Sequence, residues 1–241
     1  MFGLGTIINT VAILLGGVLG HFFGKLINER IQTTLTTTCG VSVLFIGIGG
    51  ALEGMLSVEG GVISSGRGVF IVVCMLLGAV VGEILNIEGW FERFGTWLKL
   101  KTGNAKDKNF VEGFLNASFT VCIGAMAIVG AIEDGLTGDY SILLTKSILD
   151  CIIVMVMTSS MGKGPVFSFI PVFLLQGLVT VLAKFIQPVL TDASLANLSM
   201  IGSILIFCVG INLVWGKKVK VANLLPAIIF AVIFAFLPFE I

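Results

Sequence analysis

The sequence predicts an all-α membrane protein, a polytopic bundle of about eight transmembrane helices with no soluble domain. Of its 241 residues, 56% are hydrophobic and 12% charged, against roughly a quarter charged in an ordinary soluble domain. Mean hydropathy is +1.10. Apolar segments of near-spanning length follow one another from Thr6 almost to Leu237, with one polar interval longer than a short loop. A soluble fold of this size has no interior large enough to hide so much apolar surface, so residues 1–241 read as one membrane domain.

Taken in order, the expected spans are 6–23, 38–55, 68–87, 114–132, 142–161, 166–185, 195–215 and 221–237, each near the roughly 20 residues that cross the hydrocarbon as a helix. The first has no basic residue ahead of it and no small-residue cleavage site behind it, so it reads as a retained helix and not a signal peptide. Pro171 in the sixth span and Pro226 in the eighth each remove a backbone donor and predict kinks. The connection 86–111 places Trp90, Phe91, Phe94, Trp97 and Leu98 at helical spacing, which predicts an amphipathic helix on the cytoplasmic surface. A soluble partner-binding loop is the competing reading of that segment.

Basic residues orient the bundle. Lys25, Arg30, Arg93, Lys99, Lys101, Lys106, Lys108, Lys163, Lys217, Lys218 and Lys220 fall in loops that alternate spans place on one side, whereas Arg67 and Lys184 fall on the other. Lys and Arg in short loops are retained in the cytoplasm. This distribution predicts an even number of spans with both termini outside. The overall balance of 14 Lys+Arg against 14 Asp+Glu provides no basic field, so nucleic acid is not an expected partner.

Weak self-similarity runs through the chain. Leu14-Leu15-Gly16-Gly17-Val18-Leu19-Gly20 matches Leu76-Leu77-Gly78-Ala79-Val80-Val81-Gly82, and Gly50-Ala51-Leu52-Glu53 matches Gly130-Ala131-Ile132-Glu133. A repeat of spans three to five in spans six to eight would be inverted across the membrane, an architecture of transporters. The alternative is that apolar, glycine-rich helices simply look alike. The 31 glycines favour close helix packing, and a homodimer through a glycine face is a natural expectation.

Ionisable groups at membrane depth are costly unless paired or wetted, which makes them functional candidates. Asp150 lies near the middle of the fifth span with Lys146 one turn earlier on the same face. Gln176 sits near the middle of the sixth. Asn116, Ser118 and Thr120 line half of the fourth, and Asn9 and Asn212 lie in the first and seventh. These eight are the candidate solute or ion pathway; the plainer reading of Asp150 and Lys146 is a structural ion pair, or Lys146 snorkelling outward while Asp150 caps a neighbour, and that of the other six a packing hydrogen bond. Glu53, Glu133, Asp134 and Asp139 are expected at an outer entrance, where a solvated turn is the plainer reading. The last three lie in a glycine-rich stretch without calcium-loop spacing.

Several chemistries are excluded or unsupported. His21 is the only histidine, so His-based triads and zinc motifs are absent, as is a Walker lysine loop. Cys39, Cys74, Cys122, Cys151 and Cys208 have neither metal-ligand nor CxxC spacing and read as packing residues. No metal, cofactor or enzymatic activity is expected.

The stretches Phe119-Thr120-Val121-Cys122-Ile123-Gly124-Ala125-Met126-Ala127-Ile128, Gly135-Leu136-Thr137-Gly138-Asp139-Tyr140 and Leu144-Thr145-Lys146-Ser147-Ile148-Leu149-Asp150 resemble a bacterial family. It is the group catalogued as domain of unknown function 554, the YqgA-type inner-membrane proteins. Ile8-Asn9-Thr10-Val11-Ala12-Ile13-Leu14-Leu15-Gly16-Gly17 and Pro171-Val172-Phe173-Leu174-Leu175-Gln176-Gly177 extend the likeness over essentially the whole chain. The resemblance implies a multi-pass protein of the bacterial inner membrane and assigns no substrate or residue role. With the polar residues at depth, the functional expectation is a transporter or channel for a small polar or ionic solute, with proton coupling through Asp150 as one energy source. A scaffold or sensor holding a cytoplasmic partner through 86–111 is the first alternative, and an enzyme acting on lipid-linked substrates the second.

Overall fold

The computed structural model describes residues 3–189 and 191–236, and it is almost entirely helical. The chain begins with α1 (Leu4–Gly24) and α2 (Glu29–Met55). α2 starts well ahead of the apolar run because Asn28 caps it, accepting from the Ile31 amide at 3.0 Å, with Glu29 in the first turn where the helix dipole favours an acid. A hairpin of β1 (Leu56–Glu59) and β2 (Val62–Ser65) follows. Its turn uses Gly60 and Gly61, both at positive φ, a tight-turn signal that the apolar pattern around it conceals.

Next come α3 (Gly68–Leu85), α4 (Ile87–Lys101), α5 (Phe110–Cys122), α6 (Ala125–Leu136) and α7 (Ser141–Met161). A 3-10 turn over Gly164–Ser168 leads into α8 (Phe169–Val181), then the short α9 (Ala183–Ile186), α10 (Asp192–Trp215), α11 (Val221–Leu224) and α12 (Pro226–Phe234). Among the described residues six helical segments are long and apolar enough to cross a membrane, and a seventh if α5 and α6 form one bent span. The eighth expected span is represented by Val221–Phe234, which at 1.5 Å per residue reaches only about 21 Å; the expected end of that span at 237 lies outside the described residues. Pro226 is the reason for its interruption: it starts α12 at a position that needs no donor, and α11 ends before it. Pro171 makes no kink, because α8 begins only at Phe169 and the ring sits in the first turn.

The distribution of side chains is inverted relative to a water-soluble bundle. α1 buries Gly5, Thr6, Asn9, Ile13, Gly16, Gly17 and Gly20 and exposes Ile7, Val11, Leu15, Val18 and Phe22. Lipid tails are as apolar as leucine, so no hydrophobic gain sequesters these side chains, while small and polar residues gain by packing inward.

Glycines set the helix contacts. A Cβ built on Gly16, Gly20 or Gly24 would strike the backbone of Cys151, Met155 or Ser159, respectively. The two series rise together at four-residue spacing, so α1 and α7 run parallel in close contact. Against α2 the order reverses: Gly54 faces Met200, Gly47 faces Phe207 and Gly40 faces Leu213 and Val214, so α10 is antiparallel to α2. Gly78 and Gly82 of α3 meet Ala227 and Asn223 in the same antiparallel sense. The similarity of the stretches at 14–20 and 76–82 thus corresponds to one packing device used twice. An inverted repeat of spans three to five in six to eight would set the bent α5 and α6 against α10, which is a continuous helix of 24 residues.

These directions gather the loops rich in Lys and Arg at one end of the bundle. There α4 lies against α5, with Phe91 on Phe119 and Phe94 on Phe114 at centroid distances of 5.3 and 5.8 Å. Leu98 is buried. Trp90, Trp97 and Leu100 remain exposed, so the aromatic run splits between a docked face and an outward one. Glu88 latches this helix: it pairs with Lys217 at 3.0 Å, accepts from the Ala222 amide at the start of α11, and its own amide donates to Asn223 Oδ1 at 2.7 Å. Burial disfavours charge on Lys217, but the hydrogen bonds it donates to Glu92 and Glu88 outweigh it and raise its pKa. That contribution is therefore present at neutral pH and is lost only as pH rises through the raised value. Replacing Glu88 by alanine removes the buried cap and one partner of Lys217. We expect a loss of about 1–2 kcal/mol, read as a lower melting temperature in detergent with faster amide exchange confined to α4 and α11.

Candidate functional site: a polar cluster at a broken helix

The fourth expected span is interrupted. Ile123 is extended, at φ −85° and ψ 125°, and Gly124 takes φ 145° and ψ 150°, a combination that only glycine adopts without strain. α5 and α6 consequently meet at a bend of 59°. A break exposes helix-end carbonyls where no water is available to satisfy them. Lys146 meets this need: its Nζ donates to the Val121 carbonyl at 2.8 Å and to Asp150 Oδ2 at 2.5 Å. A cation at the negative end of α5 is also favoured by the helix dipole.

From this pair the polar contacts continue across three helices. Asn9 Nδ2 of α1 donates to Asp150 Oδ2 at 3.1 Å and to Gln176 Oε1 of α8 at 3.2 Å. The carboxylate and the Gln176 carbonyl both require the NH2 of Asn9 on that side, which fixes its orientation. Asn9 Oδ1 and Gln176 Nε2 are then buried without a partner among the described residues, one acceptor and one donor. Lys146, Asp150, Asn9 and Gln176 are all at most 7% exposed. Further along α1 and α8 the hydroxyls of Thr6 and Thr180 lie 3.2 Å apart. Asp134 Oδ2 then accepts from the Gly5 amide at 2.9 Å.

The four candidates Asp150, Lys146, Gln176 and Asn9 therefore come together. The others do not join them. Ser118 and Thr120 turn their hydroxyls onto the Phe114 and Asn116 carbonyls of their own helix. Asn212 organises the turn after α10, accepting from the Lys218 and Val219 amides and donating to the Val219 carbonyl. Asn116 faces a separate cavity at the basic end.

The expected outer entrance likewise disperses. Asp134 is fully buried as the cap of α1. Asp139 holds the first turn of α7 through the amide and hydroxyl of Ser141, and those hydrogen bonds keep its carboxyl below the usual range. Glu133 lines a small cavity with Leu136 and Gln187, and Glu53 is exposed at the end of α2. Among the described residues no group of three acidic, His or Cys side chains is placed to hold a metal ion, and the five cysteines are free thiols. Thr6, Thr180 and the buried role of Asp134 were not singled out by sequence, although Thr6 precedes Asn9 by three residues and Thr180 follows Gln176 by four, the spacing of one helix face.

On its other side the break borders a cavity of about 480 Å³ whose lining is apolar apart from Ser118, including Ile123, Leu174, Leu178 and Ile228. The polar contacts of the break are thus confined to the side of α1, α7 and α8.

Helices of spanning length with apolar outer faces and a polar interior define the class: a multi-pass helical membrane protein. The chain belongs to the family described as "Protein of unknown function (DUF554)", whose model matches residues 4–236. It is 29% identical over 225 residues to the "Uncharacterized membrane protein YdfK" of Bacillus subtilis (strain 168), covering 93% of this chain and 92% of that one. It is 30% identical over 232 residues to the "Uncharacterized protein YqgA" of Escherichia coli (strain K12), covering 95% and 94%. No solved structure matches.

Proposed function

We propose that this protein is a non-enzymatic transporter or channel for a small polar or ionic solute, with the solute engaged at the Asn9, Lys146, Asp150 and Gln176 cluster. The observation that carries this reading is the pair of unpartnered buried atoms, Asn9 Oδ1 and Gln176 Nε2. Each unmet buried hydrogen bond costs about 1–3 kcal/mol. A solute offering one donor and one acceptor satisfies both atoms, which sit side by side in one cluster. The broken helix beside them supports the same reading, since interrupted helices supply solute sites in transporters. In this reading the basic loops face the cytoplasm of a bacterial inner membrane, with both termini outside.

Osmotic swelling of proteoliposomes tests the proposal across a panel of small sugars, amino acids, urea and alkali chlorides. The expected result is that at least one solute enters faster than into protein-free vesicles, and that Asp150→Asn and Gln176→Leu each reduce the rate tenfold or more, the size of one lost hydrogen bond to a charged group. Equal rates with and without protein for every solute, or undiminished rates in both variants, overturn it.

A further inference from the structure

A polar cavity of about 220 Å³ lies at the basic end, and none of the four residues of the central cluster lines it. Its lining includes Glu88, Glu92, Lys108, Glu112, Asn116 and Lys217. Two of the carboxylates are already committed, because Glu88 and Glu92 both pair with Lys217. Lys108 and Glu112 make no ion pair or hydrogen bond among the described residues, and Asn116 is 4% exposed with its Nδ2 unpartnered.

These three residues stand at four-residue spacing, Lys108 just before α5 and the other two on it. Glu112 and Asn116 lie about 6 Å apart along one face of α5, and exposure falls from Lys108 through Glu112 to Asn116. The cavity therefore presents a free cation at its mouth, a free carboxylate below it and a buried neutral donor at its floor. A simple metal cation has no use for the amide donor and is repelled by Lys108. A dicarboxylate meets Glu112, Glu88 and Glu92.

We propose that this cavity is a binding site for a small zwitterion of the amino-acid class. Its ammonium group donates to Glu112, and its carboxylate accepts from Asn116 Nδ2. Lys108 offsets part of the negative charge, since three carboxylates and two lysines line the cavity. The site is distinct from the central cluster, and occupancy of one does not require the other. It is bounded by α4, α5 and the turn after α10, so a bound ligand bridges the helix that Glu88 latches to the rest of the bundle.

Thermal unfolding of the detergent-purified full chain tests this with glycine, L-alanine and L-serine as probes, and putrescine and succinate as singly signed controls. A ligand that binds the folded state raises its apparent stability. The expected result is a concentration-dependent rise with at least one of the three amino acids and with neither control. Glu112→Gln, an isosteric change at a half-buried position, and Asn116→Leu should each weaken that dependence roughly tenfold or more. Should Asn116→Leu fail to fold, Glu112→Gln decides alone. Absence of any rise with the amino acids, an equal rise with putrescine or succinate, or an undiminished rise in Glu112→Gln overturns the proposal. Loss of the rise in Asp150→Asn with retention in Glu112→Gln also overturns it, by moving the binding to the central cluster.

Discussion

Asp150→Leu should destabilise the protein by about 3–5 kcal/mol, the cost of stranding one member of a buried ion pair. The Lys146 ammonium would keep the Val121 carbonyl but lose its counter-charge, and Asn9 would lose the acceptor that orients it. Adding Lys146→Met should recover most of that loss. A buried pair replaced on both sides by apolar groups of similar size is often nearly neutral, because the desolvation cost disappears together with the attraction. What the double variant cannot recover is the cap on the broken end of α5, so a residual deficit of about 1 kcal/mol should remain. Reversible unfolding in mixed micelles measures both variants against wild type. Recovery of stability without recovery of solute flux would separate the energetic role of the pair from its proposed role in transport. A single variant as stable as wild type would mean that Lys146 reaches water, and would remove the premise that the pair is sealed in the bundle.

How much of this was legible in advance follows from the reach of each physical rule. The helical membrane class was readable because lipid demands long apolar runs, and composition reports those directly. Lys146 and Asp150 were readable as a pair because their spacing is local. Their company was not: Asn9 stands 141 residues from Asp150 and 167 from Gln176 in the chain, and no local rule selects it over Asn116 or Asn212. The break at Gly124 was hidden for a different reason. Cys122, Ile123 and Ala125 suit a continuous apolar helix, and Gly124 is one of 31 glycines, most of which sit where a helix needs a small residue. What distinguishes this one is backbone conformation, which composition does not encode. Asp134 was misplaced to a solvent entrance because a carboxylate in a glycine-rich stretch looks exposed, whereas the orphan amides that start α1 draw it inward.

The glycine contacts allow an equally large effect to be argued with its own control. Gly16→Leu should abolish folding, and even Gly16→Ala should cost about 2–3 kcal/mol, since its new Cβ would land on the carbonyl oxygen of Cys151. The obstacle is backbone, so trimming the Cys151 side chain should not rescue it. α1 would have to move away from α7 beside Asp150, stretching the bond from Asn9 and lowering flux more than stability alone accounts for. Gly50→Ala poses the opposite case: its Cβ meets the hydroxyl and Cβ of Ser203, both side-chain atoms. Ser203→Gly should therefore restore stability to Gly50→Ala to within about 1 kcal/mol, the propensity cost of a helical glycine. Melting temperatures of the four variants decide the matter. Failure to rescue Gly50→Ala by Ser203→Gly would mean that α2 and α10 do not approach along their glycine face; rescue of Gly16→Ala by Cys151→Gly would mean the same of α1 and α7, and the alignment that brings Asn9 to Asp150 would fail with it.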